Sequence, residues 1–116
     1  MTTGPLTIIH PVTDLARAKE VYGALLGVEP DMDEPYYVGY PVAGHHLGLD
    51  TNGHAKGLTG PVAFWHVDDI DATVKAMVEA GATEKEAVHE VGPGRRIATV
   101  TDPDGSVIGL LQDDVN

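Results

Sequence analysis

The same order of segments occurs twice in this chain of 116 residues, and this repeat constrains the fold more than any other feature. Each copy begins with a short apolar run, continues with a helix-capping residue and a helical apolar stripe, and ends at a glycine. Three pairs of matching residues lie 55 positions apart: Val12 and Val67, Asp14 and Asp69, and Leu15 and Ile70. The sequence therefore predicts two modules of similar topology.

The first copy predicts a strand over residues 6–12, a helix that begins after Thr13 or Asp14, and a helix end at Gly27. Its β-branched residues favour the strand, and glycine allows the left-handed conformation in which many helices end. Two more strands are predicted over residues 36–42 and 45–50, joined by a turn at Ala43-Gly44. The acidic segment 29–34 is predicted to be a solvated loop or an edge strand.

The second copy predicts a strand over residues 61–67, a helix that begins after Asp68 or Asp69, and a helix end at Gly81. Three strands are predicted to follow, over residues 87–91, 95–101 and 106–112. The turn at residues 102–105 suits a hairpin, because its proline fixes φ and its glycine allows positive φ. We predict one α+β domain over residues 1–116, with a first module at about 5–52, a linker at about 53–60 and a second module at about 61–113.

The charge balance argues against two classes of partner. Seven Lys and Arg residues against eighteen Asp and Glu residues give a net charge of −11, which disfavours nucleic acid and anionic membrane and favours a cationic ligand. The chain has no cysteine, so disulfides, thiolate ligands and cysteine nucleophiles are excluded. We see no membrane span and no signal peptide in the sequence, and we expect a cytoplasmic protein.

The order of the elements resembles the vicinal oxygen chelate superfamily, the group of glyoxalases, bleomycin-resistance proteins and extradiol dioxygenases. The resemblance rests on the helix start at residues 12–15, on Tyr22 and Leu26-Gly27 near the helix end, and on the Asp-Pro-Asp-Gly turn at 102–105. It implies two βαβββ modules whose curled mixed sheets surround a cavity, with the helices on the outer face. It also implies a homodimer, and whether modules pair within a chain or are swapped between chains stays open.

Metal-dependent members of this superfamily hold a divalent ion with four His, Glu or Gln side chains. By resemblance, those positions fall on Thr7, Gly48, Val62 and Gly109, and none of these residues is a good metal ligand. The resemblance therefore implies a metal-free member with no cofactor. It directs attention to relatives that sequester drugs such as bleomycin or mitomycin, and away from metal-dependent chemistry.

Strand alternation indicates which side chains share the cavity face with those four positions. It predicts Ile9, His46, Asp50, Phe64 and His66 as ligand-binding residues. Tyr36 and Tyr40, which share one face of their strand, are candidates for stacking on a planar ligand, although Tyr37 on the other face is an open alternative.

One of Arg95 and Arg96 must point into the cavity, and we take Arg95 as the candidate. Its guanidinium could hold a carboxylate or a phenolate, and pairing with a surface carboxylate is the alternative. His66 is the candidate for proton transfer, because imidazole titrates near neutral pH; a hydrogen-bonded histidine at the cavity rim is the alternative. Strand alternation places His10 on the face opposite to Ile9, so it does not face the cavity and is expected to pack under the first helix.

The leading hypothesis from the sequence is metal-independent binding of a small aromatic or amphipathic organic molecule in the cavity between the modules, with antibiotic sequestration as one such role. The alternative is an enzyme of the glyoxalase fold, of lyase, isomerase or oxygenase type, that uses His66 for acid–base chemistry. A third possibility is an accessory domain whose cavity is filled by its own side chains.

Overall fold

The structure, a computed structural model, describes residues 2–113. These residues form two compact units: residues 6–62, and residues 63–113 together with residues 2–5. We call the unit of residues 6–62 the first module and the other unit the second module. No helix in the described part of the chain is long and apolar enough to span a bilayer.

The first module contains one α-helix, a short 3-10 helix at His54–Lys56 and a four-stranded mixed sheet. Its elements are β1 (Thr2–Pro11, whose first residues belong to the second module), α1 (Leu15–Leu26), β2 (Met32–Glu34), β3 (Tyr37–Val42) and β4 (His45–Asp50). The strand order is β2-β3-β4-β1. β1 and β4 are parallel, and the other neighbours are antiparallel.

The second module repeats this topology. Its elements are β5 (Val62–Val67, which begins one residue before the module), α2 (Ile70–Glu79), β6 (Thr83–Glu90), β7 (Arg95–Thr101) and β8 (Val107–Asp113). The strand order is β5-β8-β7-β6, with β5 and β8 parallel and the other neighbours antiparallel. The predicted α+β class and the two βαβββ modules are confirmed.

The helices begin at the two aspartates that the repeat aligns. Asp14 accepts a hydrogen bond from the backbone N–H of Arg17 at 3.1 Å, and Asp69 accepts one from Ala72 at 3.1 Å. Each aspartate thereby satisfies a donor that the first helical turn leaves free. Both helix starts were predicted, and the structure selects Asp14 over Thr13 and Asp69 over Asp68.

Each module has its own apolar core between its helix and its sheet. In the first module, Val38, Tyr40 and Leu49 are buried and pack against partly buried residues of α1. The second-module core is larger, and its buried members are Val67, Ile70, Val74, Ala98, Val100 and Leu110. Two strands begin earlier than predicted: β1 at Thr2 rather than residue 6, and β6 at Thr83 rather than residue 87. The acidic segment contains the short edge strand β2, which is one of its two predicted alternatives. β6 is an outer strand rich in charged residues, so an apolar pattern does not mark its start.

His10 lies on the helix side of its strand, as predicted. Its Nδ1 lies 3.1 Å from the hydroxyl of Tyr22 on α1, and the two rings are 5.0 Å apart. This contact joins the first strand to the first helix.

Candidate functional site

A set of residues from three strands of the first module shares the sheet face that lies opposite α1. Strand register pairs Ile9 with Gly48, Gly39 with Gly48, and Tyr37 with Asp50. Residues directly opposite each other on neighbouring strands point to the same side of the sheet. We call this surface the platform face, and its members are Ile9, Tyr37, Gly39, His46, Gly48 and Asp50.

Two aromatic rings lie side by side on the platform face. The Tyr37 hydroxyl is 2.7 Å from Nε2 of His46, which is a hydrogen bond. The two ring planes differ by only 10°, and their centroids are 6.1 Å apart. Tyr37 and His46 are therefore two nearly parallel rings joined by a hydrogen bond.

Two glycines make this arrangement sterically possible. A Cβ atom at Gly39 would lie 2.5 Å from Cε1 of His46, and a Cβ atom at Gly48 would overlap the hydroxyl of Tyr37. A Cβ at Gly48 would also be 2.7 Å from Cδ1 of Ile9. The rings occupy the space that side chains would fill at these two positions, so the glycines set how close the rings lie to the sheet.

The platform face carries carboxylates at its edge. Both cross-strand neighbours of Tyr37 are acidic: Glu34 on β2 and Asp50 on β4. Asp50 also accepts a hydrogen bond from the backbone N–H of Asn52 at 2.8 Å. The electrostatic environment of the Tyr37 ring therefore favours positive charge.

On the corresponding face of the second module, an aromatic ring also occupies the side-chain space at a glycine. Phe64 pairs with Gly109, and a Cβ atom at Gly109 would lie 2.6 Å from two atoms of the Phe64 ring. Phe64 is buried. At both Gly48 and Gly109, an aromatic ring from a neighbouring strand fills the space that a side chain would occupy.

These residues do not fit the divalent ion that the superfamily resemblance implies. Gly48, Gly109 and Val62 offer no side-chain donor, and Thr7 offers only a hydroxyl. A longer side chain at either glycine would collide with Tyr37 or Phe64. Within residues 2–113, no three His, Cys, Asp or Glu residues are grouped so that they could hold a metal ion.

His66 and Arg95 share the second-module face with Phe64, and their roles as ligand contacts stay predictions. Arg95 forms an ion pair with Asp113, with 2.7 Å between Nε and Oδ1. Arg96 points to the opposite side and pairs with Asp71 of α2 at 3.0 Å. Burial lowers the pKa of His66 below its usual value, and the Arg95 guanidinium acts in the same direction against the opposing effect of Asp113.

The structure changes which tyrosine is the candidate for ligand contact. Tyr40, proposed for ligand contact, is buried under α1, and its hydroxyl donates to the backbone oxygen of Lys19 at 3.4 Å. Tyr36 precedes β3 and is exposed. Tyr37 is the tyrosine that shares the platform face with His46, because residues 37, 39 and 41 alternate with 38, 40 and 42 along β3.

The sequence contained a turn that places Tyr37 on the platform face. Ala43 and Gly44 both have positive φ values, 48° and 83°, as in the two-residue turns that favour hairpins. A two-residue turn at these positions fixes the register so that Gly39 faces Gly48 and Tyr37 faces Asp50. Counting back from the turn would have placed Tyr37, and not its neighbour Tyr36, beside the predicted site.

The two half-buried histidines make stability depend on pH. Burial lowers the pKa of both His10 and His66, so the unfolded chain binds protons more readily than the folded chain below about pH 6.5. Stability is therefore lost as pH falls below about 6.5 and through the lowered pKa values of these two histidines. We expect His10→Gln and His66→Gln each to reduce this pH dependence, as measured by urea unfolding at a series of pH values. The control is His54→Gln, at an exposed residue, which should leave the slope unchanged.

The duplicated βαβββ topology is that of the vicinal oxygen chelate class. A profile of the glyoxalase/bleomycin resistance protein/dioxygenase superfamily matches residues 6–110. The chain belongs to this superfamily, which confirms the family resemblance at that level.

Individual relatives agree with this assignment. CFP32 of Mycobacterium bovis, a protein named as a glyoxylase, is 31% identical over 114 residues that cover 86% of this chain and 42% of CFP32. The chain thus spans less than half the length of this curated relative.

Two solved structures show the same fold. A superfamily member from Vibrio splendidus 12B01 has 19% identity and a TM-score of 0.72, with 92% of this chain and 96% of that chain covered. A protein described as an NAD-dependent benzaldehyde dehydrogenase from Legionella pneumophila has 16% identity and a TM-score of 0.74, with 92% and 97% covered. At these identities the likeness concerns the fold alone.

Proposed function

We propose that this protein binds a small planar aromatic molecule on the platform face, without a metal ion. The observation that carries the proposal is the pair of nearly parallel, hydrogen-bonded rings of Tyr37 and His46. Aromatic rings attract other planar rings by stacking, worth about 0.5–1.5 kcal/mol per pair beyond the burial of area. Sequestration of an aromatic antibiotic is one physiological role that such binding would serve.

The metal-free part of the proposal rests on the residues at the four ligand positions. Two of them are glycines whose side-chain space is filled by Tyr37 and Phe64, and the others offer at most the hydroxyl of Thr7. Binding energy would instead come from stacking and from apolar contact with Ile9. We expect ligand affinity to be unchanged after dialysis against EDTA.

The charge of the favoured ligand follows from Glu34 and Asp50, which flank Tyr37, and from the net charge of −11. A planar cation should bind more tightly than a planar anion of equal size. We therefore choose 9-aminoacridine as the probe and acridine-9-carboxylate as its matched anionic control. Calorimetry gives the affinities, and amide chemical-shift mapping by NMR locates the contact.

Replacing Tyr37 with alanine tests whether the platform face binds the ligand. Loss of one stacking partner worth about 0.5–1.5 kcal/mol should weaken 9-aminoacridine binding by about 2- to 12-fold. The matched control is Tyr36→Ala, which removes the adjacent but exposed tyrosine and should leave affinity unchanged. If both variants bind equally well, or if the largest shifts lie away from residues 37–48, the proposed site is wrong.

Acid–base catalysis at the second-module face is a second candidate function. Burial lowers the pKa of His66, which leaves a neutral imidazole able to accept a proton at neutral pH. Because curated relatives carry a glyoxylase name, the substrate to try is the adduct of methylglyoxal and glutathione. Turnover by the wild type that is lost in His66→Ala would favour this candidate over a protein that only binds.

A further inference from the structure

A groove runs along one side of helix α1 in the first module. It lies between α1 and the segment of residues 27–35, which follows the helix and contains β2, and its volume is about 1110 Å³. Small-molecule sites usually have volumes of about 300–1,000 Å³, so this space is large enough for one. Tyr40, which is buried under α1, lines the groove, whereas Tyr37 alternates with it along β3 and faces the other way. We call this space the α1 groove, and it lies on the side of the sheet opposite to the platform face.

The internal repeat shows why this space is open. In the second module, Ala82 and Val88 follow α2 and pack against the core of that module. In the first module, none of the apolar residues that pack against the core lies between residues 27 and 36, all of which the structure describes. An ion pair joins this segment to the helix instead, with Nζ of Lys19 at 3.0 and 2.9 Å from the two carboxylate oxygens of Asp33. The segment is therefore held to α1 through polar side chains, and space is left between them.

The polar groups that line the α1 groove are suited to a cationic hydrogen-bond donor. Asp33 is paired with Lys19, whereas Glu20 and Glu29 line the groove and form no ion pair within residues 2–113. The Tyr40 hydroxyl donates to the backbone oxygen of Lys19 at 3.4 Å, so its own oxygen can still accept a hydrogen bond. Carboxylates and a hydroxyl oxygen together favour a ligand that brings N–H donors and positive charge.

Gly23 keeps one wall of the α1 groove free of side-chain atoms. It lies inside α1, where glycine is a weak helix former, and its φ is not positive. A Cβ atom there would meet only the Tyr40 hydroxyl, at an ordinary contact distance of 3.9 Å, so packing does not require a glycine. The matching residue of α2, 55 positions later, is Val78. The fold thus tolerates a larger residue at this position, and the space that Gly23 leaves opens into the groove.

We propose that the α1 groove binds an aliphatic polyamine, a chain of methylene groups that carries several ammonium groups. The ammonium groups pair with Glu20 and Glu29, and the methylene groups lie against apolar lining residues such as Val28 and Pro30. Among the described residues that line the groove, Tyr40 alone is aromatic and its ring is buried, which favours an aliphatic cation over a planar one. The inference does not depend on ligand binding at the platform face, because the two sites lie on opposite sides of the sheet.

Calorimetry with spermidine at low ionic strength tests the proposal, and amide chemical-shift mapping by NMR locates the contact. We expect spermidine to bind with its largest shifts at residues 15–40 on α1, the segment that follows it and β3. The matched control is 1,8-octanediol, a neutral chain of the same length, which should bind far more weakly because it cannot pair with the carboxylates. Absence of spermidine binding, equal binding of the two compounds, or largest shifts elsewhere in the chain overturns the proposal.

A pair of charge-neutralising variants separates the α1 groove from the general attraction of an acidic protein for cations. Glu20→Gln/Glu29→Gln removes two ion pairs with the ligand and should weaken spermidine binding by about 2- to 30-fold. The control Glu84→Gln/Glu90→Gln changes the net charge by the same amount at exposed residues of β6 and should have the smaller effect. Equal weakening by the two double variants would show that spermidine senses only the net charge, and would overturn the proposal. Glu34 is left unchanged because it is also a cross-strand neighbour of Tyr37.

Filling the space at Gly23 tests the shape of the groove. In Gly23→Leu, displacement of one or two methylene groups of spermidine should weaken binding by about 4- to 15-fold. Leucine is a better helix former than glycine, so urea unfolding should show no loss of stability. The control is Ala24→Leu at the adjacent exposed residue of α1, which does not line the groove and should bind like the wild type. A folded Gly23→Leu variant that binds spermidine as tightly as the wild type would contradict the proposal.

Discussion

Replacing Ile70 with alanine is expected to destabilise the protein by about 2–5 kcal/mol, the largest effect we predict for a single residue. Ile70 is the first residue of α2, and its side chain is fully buried in the second-module core. It packs in one cluster with Val74, Val100 and Leu110. Alanine would leave a cavity there, because neighbours on a paired sheet cannot move in to fill it.

The measurement is urea unfolding followed by far-UV circular dichroism. Val78→Ala is the control, since Val78 lies on the same helix and is 43% exposed; it should cost about 0.5 kcal/mol or less. The backbone N–H of Ile70 donates to Oε1 of Gln112 at 2.7 Å, and the alanine variant keeps this bond. A loss below about 1 kcal/mol in Ile70→Ala would contradict the packing described for this core.

Replacing Gly48 with alanine is expected to weaken ligand binding at the platform face at least as much as the loss of the Tyr37 ring. The added Cβ would overlap the Tyr37 hydroxyl and come within 2.7 Å of Ile9. The Tyr37 ring must then leave its place over Gly48 and lose its hydrogen bond to His46. We expect affinity for 9-aminoacridine to fall at least about tenfold, and stability to fall by about 1–3 kcal/mol, the usual cost of overpacking.

Two further variants separate the effect on the ring from an effect on the backbone. Gly60→Ala is the control, because a Cβ at Gly60 meets no atom within 4 Å and the residue has no positive φ. It should change neither affinity nor stability. In Gly48→Ala/Tyr37→Ala the main collision is removed, so stability should recover while affinity stays reduced. If Gly48→Ala binds like the wild type, the rings do not form the binding surface.

The sequence was most informative about the helices and the central strands. Asp14 and Asp69 cap their helices at the positions that the repeat predicts, and β4 and β7 have the predicted bounds. These features depend on local chemistry, such as capping, apolar alternation and turn residues, which neighbouring residues express directly. The start of β6 escaped prediction because its charged residues carry no apolar signal, and for the segment that contains β2 the sequence left a loop and an edge strand as alternatives.

The candidate site was only partly predictable. Strand alternation correctly grouped Ile9, His46 and Asp50 with Gly48, because alternation is fixed along each strand. It could not decide between Tyr36, Tyr37 and Tyr40 without the register of β3 against β4. That register depends on the turn at Ala43-Gly44, and a shift of one residue would have moved every side chain of β3 to the other face.

The sequence alone determined the repeat, the α+β class and each helix start to within one residue. Only the tertiary structure decided what fills the space above Gly48 and Gly109, because Tyr37 and Phe64 come from other strands. It also decided which apolar residues of α1 are buried and which are left exposed. Both outcomes depend on contacts between segments distant in sequence, and these form only when strand register and helix packing are set together.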